Sequence, residues 1–242
     1  MYNSNSNKLY RTFLISDYGI KKPEKITKKG KTGNLFLGFP NAANIRETVF
    51  THTFPKNSLD KFIVGVVDSP LTRWWIRMKK SSDIQKINPV RGKANWFYTY
   101  KGKDKPGEKV GFTSQALNNH LAGEQVSLKM NLYASKDSVV PAGLGHLIYD
   151  DGNAENPFNK NTVKQIMLWV DSLLTFRGRP QVSMNSSEVF PSTADSVLTR
   201  INRAFRVQSD TIRDTASLLV GGLRLHGAVS LSSISYLRYN PS

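Results

Sequence analysis

The sequence contains no cysteine among its 242 residues. A disulfide framework, a thiolate metal site and a cysteine nucleophile are therefore excluded. It also lacks a continuous apolar run long enough for a transmembrane helix, so we expect no membrane partner. The N-terminal segment 1–7 is mostly polar and has no apolar signal-peptide core, so secretion by that route is not expected.

Acidic residues are scarce, with 18 Asp and Glu against 34 Lys and Arg, and the formal net charge is +16. The excess lies early in the chain: residues 1–110 hold 22 basic and 8 acidic residues, whereas residues 111–242 hold 12 and 10. Such asymmetry indicates a polyanionic partner, most commonly nucleic acid, because each neutralised phosphate releases a counterion. A lysine excess that only keeps the protein soluble is the alternative.

Recognisable catalytic motifs are also missing. The sequence has neither a complete phosphate-binding loop nor a Gly-x-Ser-x-Gly nucleophile elbow. The acidic cluster formed by Asp150, Asp151 and Glu155 is predicted to be a solvated loop, with a divalent-cation site as the alternative. We therefore expect no enzyme, no bound metal and no cofactor. The four histidines are far apart and lack paired metal-ligand spacing: His52, His120, His146 and His226.

Residues 1–33 are predicted to form a basic N-terminal arm. Within it, the run 8–15 is compatible with a short strand or a docking segment. The following segment is too polar and charged to bury a core, so we expect it to be extended and mobile when unbound. Its basic clusters also fit a nuclear-import signal, with a solvated tail as the alternative. The lysines of this segment are Lys21, Lys22, Lys25, Lys28, Lys29 and Lys31.

Between residues 34 and 110, short runs rich in β-branched and aromatic residues are bounded by Pro, Gly, Asp and Ser. This texture is typical of strands in a sandwich or barrel. The runs are 35–39, 48–54, 61–67 and 72–78.

Aromatic residues are interleaved with cations in the same part of the chain. On a strand over 96–100, Trp96 and Tyr98 would share one face. An exposed face of this kind stacks on bases while neighbouring cations hold phosphates. Burial of these rings in the core or in a subunit contact is the alternative. The candidate cations of this region are Arg73, Arg77, Lys79, Lys80, Arg91, Lys93, Lys101 and Lys103.

The second half mixes two kinds of periodicity. Residues 114–121 predict a short helix capped by Ser114, and 126–133 alternate as a strand does. Residues 161–176 have helical spacing with Asn161 or Thr162 as the cap, yet 163–170 also fit a buried strand. Residues 195–205 are ambiguous in the same way. Residues 223–239 read as a final strand or hairpin with a bulge.

Four of these elements, taken in order, resemble the core of single jelly-roll coat proteins from small single-stranded viruses, namely circular replicating DNA viruses and particles of the satellite tobacco necrosis type. The resemblance covers about half of the chain. Its elements are a strand entered at Gly123-Glu124-Gln125-Val126, an apolar strand ending at Asp171, a loop with Val197-Leu198, and a strand of the form Arg203-x-Phe205-x-Val207-x-x-Asp210.

The resemblance implies an all-β single jelly roll with short helices, in which a shell domain over 34–242 follows the arm. It also implies a coat protein, many copies of which assemble into a closed virion shell around single-stranded DNA or RNA, with the host nucleus as a stage of assembly. The basic residues would neutralise phosphates without reading sequence. The alternative is an α+β, non-capsid single-stranded nucleic-acid-binding protein or nucleoprotein, in which 161–176 and 195–205 are helices.

Overall fold

A computed structural model provides the structure. It describes residues 8–19, 42–55, 58, 61–67, 74–97, 107–110, 113–176, 189–206, 219–220, 223–224 and 228–240. Within these residues the architecture is helical, with small sheets at its edges, so the predicted all-β jelly roll is wrong. The helices are α1 Ile15–Tyr18, α2 Ala42–His52, α3 Ser81–Lys86, α4 Ser114–Leu117, α5 His120–Lys136, α6 Val163–Phe176 and α7 Pro191–Ala204.

The strands are short. They are β1 Leu9–Tyr10, β2 Phe62–Val64, β3 Trp74–Met78, β4 Gly107–Val110, β5 Ile148–Tyr149, β6 Leu219–Val220, β7 Leu223–Arg224, β8 Val229–Ser230 and β9 Leu237–Arg238. β2, β3 and β4 form one sheet, in which β3 pairs antiparallel with β2 and parallel with β4. The other strands form antiparallel pairs, β1 with β8, β5 with β9 and β6 with β7. The predicted runs 61–67 and 72–78 do contain β2 and β3, whereas the run 35–39 lies outside the described residues.

Helix α5 is the centre of the core, and it explains why the strand predicted at 126–133 is wrong. Val126, Leu128 and Met130 are buried, as the alternation required, but the polar residues between them are buried as well. Ser127 Oγ, for example, donates a 2.7 Å hydrogen bond to the carbonyl of Phe13. A helix surrounded on all sides by protein has no polar face, so its period of 3.6 residues is hidden in the sequence.

Helices α6 and α7 confirm the helical interpretation of 161–176 and 195–205 and overturn the strand at 163–170. Thr162 begins α6 with a capping box: its Oγ1 accepts from the Gln165 N–H at 3.2 Å, and the Gln165 side chain accepts from the Thr162 N–H at 2.8 Å. Pro191 stands at the first turn of α7, where its missing N–H costs no helical hydrogen bond. The apolar face of α7 packs along α5.

Helix α2 replaces the strand predicted at 48–54. Ala42, Ile45 and Val49 are buried at helical spacing, so one face of α2 enters the core. The strand was predicted from the β-branched residues at the C-terminal end of this helix. The short helix predicted at 114–121 is confirmed only over 114–117, since the helix stops there and residues 120–121 begin α5. Thr113 rather than Ser114 caps it: Thr113 Oγ1 accepts from the Ala116 N–H at 3.2 Å.

Residues 8–19, which the sequence assigned to the arm, pack into the helical core. Asn131 of α5 holds them in place, since its Oδ1 accepts from the Phe13 N–H at 2.9 Å and from the Tyr18 hydroxyl at 2.7 Å. Arg206, just after α7, forms two 2.8 Å hydrogen bonds with the Asp17 carboxylate. This part of the N-terminal segment is therefore structural.

Candidate nucleic-acid interface

Acidic and basic side chains occupy different environments in the described part of the chain. Among the acidic residues with described burial, Glu155 is exposed, and the Glu47 side chain, at 42% exposed, is partly accessible. The acids other than Glu155 are partly or fully buried, and they accept hydrogen bonds or form ion pairs within the protein: Asp17, Glu47, Asp83, Glu124, Asp137, Asp150, Asp151, Asp171 and Asp195.

Basic side chains are mostly exposed. The exposed lysines and arginines of the described residues are Lys8, Lys61, Lys79, Lys80, Lys86, Arg91, Lys93, Lys136, Lys160, Lys164, Arg200, Arg203 and Arg238. Because the protein uses its acids internally and presents its cations to solvent, the described surface is more strongly basic than the composition alone implies. Such a surface attracts polyanions over several ångströms.

The densest group of exposed cations lies between residues 79 and 93, here called the basic segment. Lys79 and Lys80 precede α3, and Asp83 in its first turn is buried, with its carboxylate accepting from both of their backbone N–H groups at 2.9 and 3.2 Å. The chain then leaves α3 and carries Arg91 and Lys93, both exposed. Four of the predicted site residues, together with Lys86, are thus exposed within one stretch of the chain.

Close packing holds the second half of the basic segment against the start of α5. A Cβ on Gly123 would lie 2.4 Å from a methyl carbon of Val90, so only glycine allows this approach. The carbonyl of Lys93 accepts from the His120 N–H at 3.3 Å, and the Asn119 side chain donates to the Asn95 carbonyl at 2.8 Å. The backbone that carries Arg91 and Lys93 is therefore held in place against the N-terminal end of α5.

Trp96 does not form an exposed stacking face. It is 4% exposed and belongs to the core, which is the alternative that the sequence left open. No strand forms at 91–97, and the Phe97 N–H instead donates to the Leu174 carbonyl at the end of α6 at 2.9 Å. Arg77 lies on β3 and is half-buried. The other predicted site residues lie outside the described part: Lys21, Lys22, Lys25, Lys28, Lys29, Lys31, Arg73, Tyr98, Lys101 and Lys103.

A second basic surface, which the sequence analysis missed, combines cations with tyrosines. The guanidinium carbon of Arg200 on α7 lies 4.4 Å from the ring centroid of Tyr236 and 5.9 Å from that of Tyr149. Tyr236 donates a 3.0 Å hydrogen bond to the Arg200 carbonyl. Exposed Arg238 follows two residues after Tyr236. The sequence signal was present as Tyr236-Leu-Arg-Tyr239, but Arg200 is 36 residues away in the chain.

The histidines of the described residues lie in different environments and do not come together. His120 begins α5, and its Nδ1 lies 2.7 Å from Asp195 Oδ1, while its Nε2 is 3.9 Å from Glu124 Oε1. Burial raises the pKa of Glu124, against the effect of the Asn202 hydrogen bond and the positive charges nearby. His52 and His146 are exposed on other elements, and His226 lies outside the described residues.

The acidic loop after β5 is satisfied by protein donors. The Asp151 carboxylate accepts from the amides of Asn156 and Asn159, each at 2.8 Å, and these hydrogen bonds help to lower its pKa although burial opposes them. Among the described residues, no group of three or more His, Cys, Asp or Glu side chains is arranged to hold a metal ion. In the same residues, no helix has the length and apolar character needed to cross a bilayer.

Comparison with known proteins gave no match: no protein family, curated protein or solved structure is significantly similar to this chain.

Proposed function

We propose that this protein binds single-stranded nucleic acid through its phosphates, without reading sequence, and that it is not a shell-forming coat protein. The observation that carries the proposal is the separation of charge: among the described residues, most acids accept contacts within the protein, while most cations are exposed. Nucleic acid is the polyanion that such a surface fits best, because phosphate neutralisation releases counterions and needs no shaped pocket.

The coat function loses its structural support. It depended on strands at 126–133 and 163–170, and both segments are helices. The nucleic-acid partner does not depend on those strands, because the net charge and the exposed cations remain. The binding protein that stood as the alternative is therefore the stronger proposal.

Two measurements on the purified full chain test this function. Size-exclusion chromatography with light scattering, with the absorbance at 260 and 280 nm recorded on the same peak, reports assembly and bound nucleic acid. Fluorescence anisotropy then reports binding to a labelled single-stranded oligonucleotide and to the matching duplex. We expect small species that bind the single strand. Uniform closed particles in electron micrographs would instead support the coat function, and an absence of binding would overturn the proposal.

The contribution of the basic segment is measured by charge reversal. We expect R91E/K93E to weaken oligonucleotide binding more than K160E/K164E, although both variants change the net charge equally. The reason is local density, since Arg91 and Lys93 share the basic segment with three further exposed lysines. Equal losses in the two variants would show that binding depends on net charge alone.

A further inference from the structure

We propose that Arg200 and Tyr236 form a stacking site for one unpaired nucleobase. This inference rests on the proposed function and deepens it, because it names the part of the nucleic acid that contacts this surface. The site lies where α7 meets the turn that leads into β9. It differs from the basic segment in chemistry, since a planar guanidinium lies over a tyrosine ring.

The geometry presents a fixed, planar cation to solvent. Arg200 lies 4.4 Å above the centroid of Tyr236, and its Nη1 donates to the Tyr149 hydroxyl at 3.3 Å and to Asp151 Oδ2 at 3.4 Å. The hydrogen bonds fix one edge of the guanidinium, and the Tyr236 ring lies beside it. The side chain remains 45% exposed, so part of it is accessible to a ligand.

Tyr236 is held at both ends. Its hydroxyl donates to the Arg200 carbonyl at 3.0 Å, and its own carbonyl accepts from the Asp150 N–H at 3.0 Å, which extends the β5–β9 pairing by one residue. The arginine and the tyrosine are therefore positioned before any ligand arrives. A preformed pair loses little conformational entropy on binding.

The surrounding charges suit a nucleotide. Arg238 lies in β9, two residues after Tyr236, which is in the turn that precedes this strand. Arg238 is 65% exposed and only loosely paired, with Nη2 at 3.5 Å from Asp150 Oδ2. It can therefore approach the phosphate next to the stacked base. Unpaired bases stack on aromatic rings and on arginine planes regardless of base identity, which agrees with binding that does not read sequence.

The test separates base contacts from phosphate contacts. Anisotropy titrations use a labelled dT oligomer and an abasic oligomer with the same number of phosphates. R200K keeps the positive charge but removes the planar guanidinium. R203K is the matched control, because Arg203 is an exposed arginine one turn further along α7. Helix content from circular dichroism confirms that each variant is folded.

We expect R200K to weaken dT binding by at least about fivefold and to leave abasic binding unchanged, since stacking of one base accounts for a loss of that size. R203K should leave both within about twofold. A loss on both oligomers, or on neither, would overturn the stacking site while leaving phosphate binding intact. If the wild-type protein binds neither oligomer, the proposed function fails as well.

A second experiment needs no variant. An oligonucleotide containing 5-iodo-deoxyuridine is photo-crosslinked to the wild-type protein, and the modified peptide is identified by mass spectrometry. We expect the crosslink within the peptide that contains Tyr236. Crosslinks found only in peptides from other parts of the chain would contradict the site.

Discussion

Removal of one charge from the buried Lys129–Asp171 pair should destabilise the fold strongly. Lys129 Nζ of α5 lies 2.5 Å from Asp171 Oδ2 of α6, and each side chain is 7% exposed. Lys129 also donates to the Ile63 carbonyl of β2. Asp171 Oδ1 accepts from the Gly65 N–H and from the Gln125 side chain, both at 2.9 Å. The pair therefore joins two helices to the three-stranded sheet.

D171N isolates the charge, because asparagine keeps the carbonyl oxygen that can accept from Gly65 and Gln125. It leaves the Lys129 ammonium buried without a counter-ion, and breaking a buried pair in this way costs about 3–5 kcal/mol. Burial raises the pKa of Asp171, against the attraction of Lys129, which shows that desolvation is already a cost of this pair. K129M/D171N removes both charges and keeps the acceptor for Gly65 and Gln125, so it should be less destabilised than D171N.

The assay is the free energy of unfolding from urea titrations followed by circular dichroism. D150N is the matched control, because it makes the same change in net charge at a surface pair with Arg238, where the cost is below about 1 kcal/mol. If D171N and D150N lose the same free energy, or if K129M/D171N is worse than D171N, the reasoning about the buried pair is refuted.

Two further predictions concern the start of α5. G123A should destabilise the protein, because overpacking against Val90 costs about 1–3 kcal/mol and exceeds the gain of up to about 1 kcal/mol from a helical alanine. In the V90A background both methyl contacts are removed and only the Cβ of residue 90, at 3.0 Å, remains, so the penalty of the same substitution should become smaller; an unchanged penalty there would contradict the close approach. E124Q should raise the free energy of unfolding at neutral pH but change it little in acid. Burial raises the pKa of Glu124 despite nearby Asn202, His120 and Arg203, with Asp195 adding to the rise; the protonated form is therefore favoured in the folded state, and stability is lost as pH rises through that pKa. Urea titrations from acid to neutral pH check the prediction. If the free energy of unfolding of E124Q depends on pH as that of the wild type does, Glu124 contributes no pH dependence.

A helix of this fold can be predicted from the sequence where one of its faces is polar, because the helical spacing of its apolar residues is then visible. Thr162 and Gln165 mark the start of α6, and the spacing of its apolar residues then gives a helix correctly. The resemblance to coat proteins nevertheless predicts a strand ending at Asp171, and the helix α6 contradicts it. In α5, by contrast, the polar residues that break the helical pattern are buried with partners from distant parts of the chain. Asn131, whose Nδ2 donates to Asn202 Oδ1 at 3.0 Å, is an example.

The candidate site was predictable only in part. Arg91 and Lys93 are exposed because they lie in a charged segment, as composition indicates. Trp96 lies close to them in sequence, yet it is buried. Its burial could not be predicted, because a local sequence pattern does not show which face of a segment meets the core. The pairing of Arg200 with Tyr236 depends on the docking of α7 beside β9, which no local signal shows.

The most direct test of the central claim is the salt dependence of binding to a single-stranded oligonucleotide. Neutralised phosphates release counterions, so the logarithm of the affinity should fall linearly with the logarithm of the salt concentration, with a slope of about −0.7 for each phosphate contacted. A slope that corresponds to several phosphates, and becomes shallower in R91E/K93E, is the predicted result. Binding that does not depend on salt would contradict the claim that the exposed cations hold the phosphate backbone.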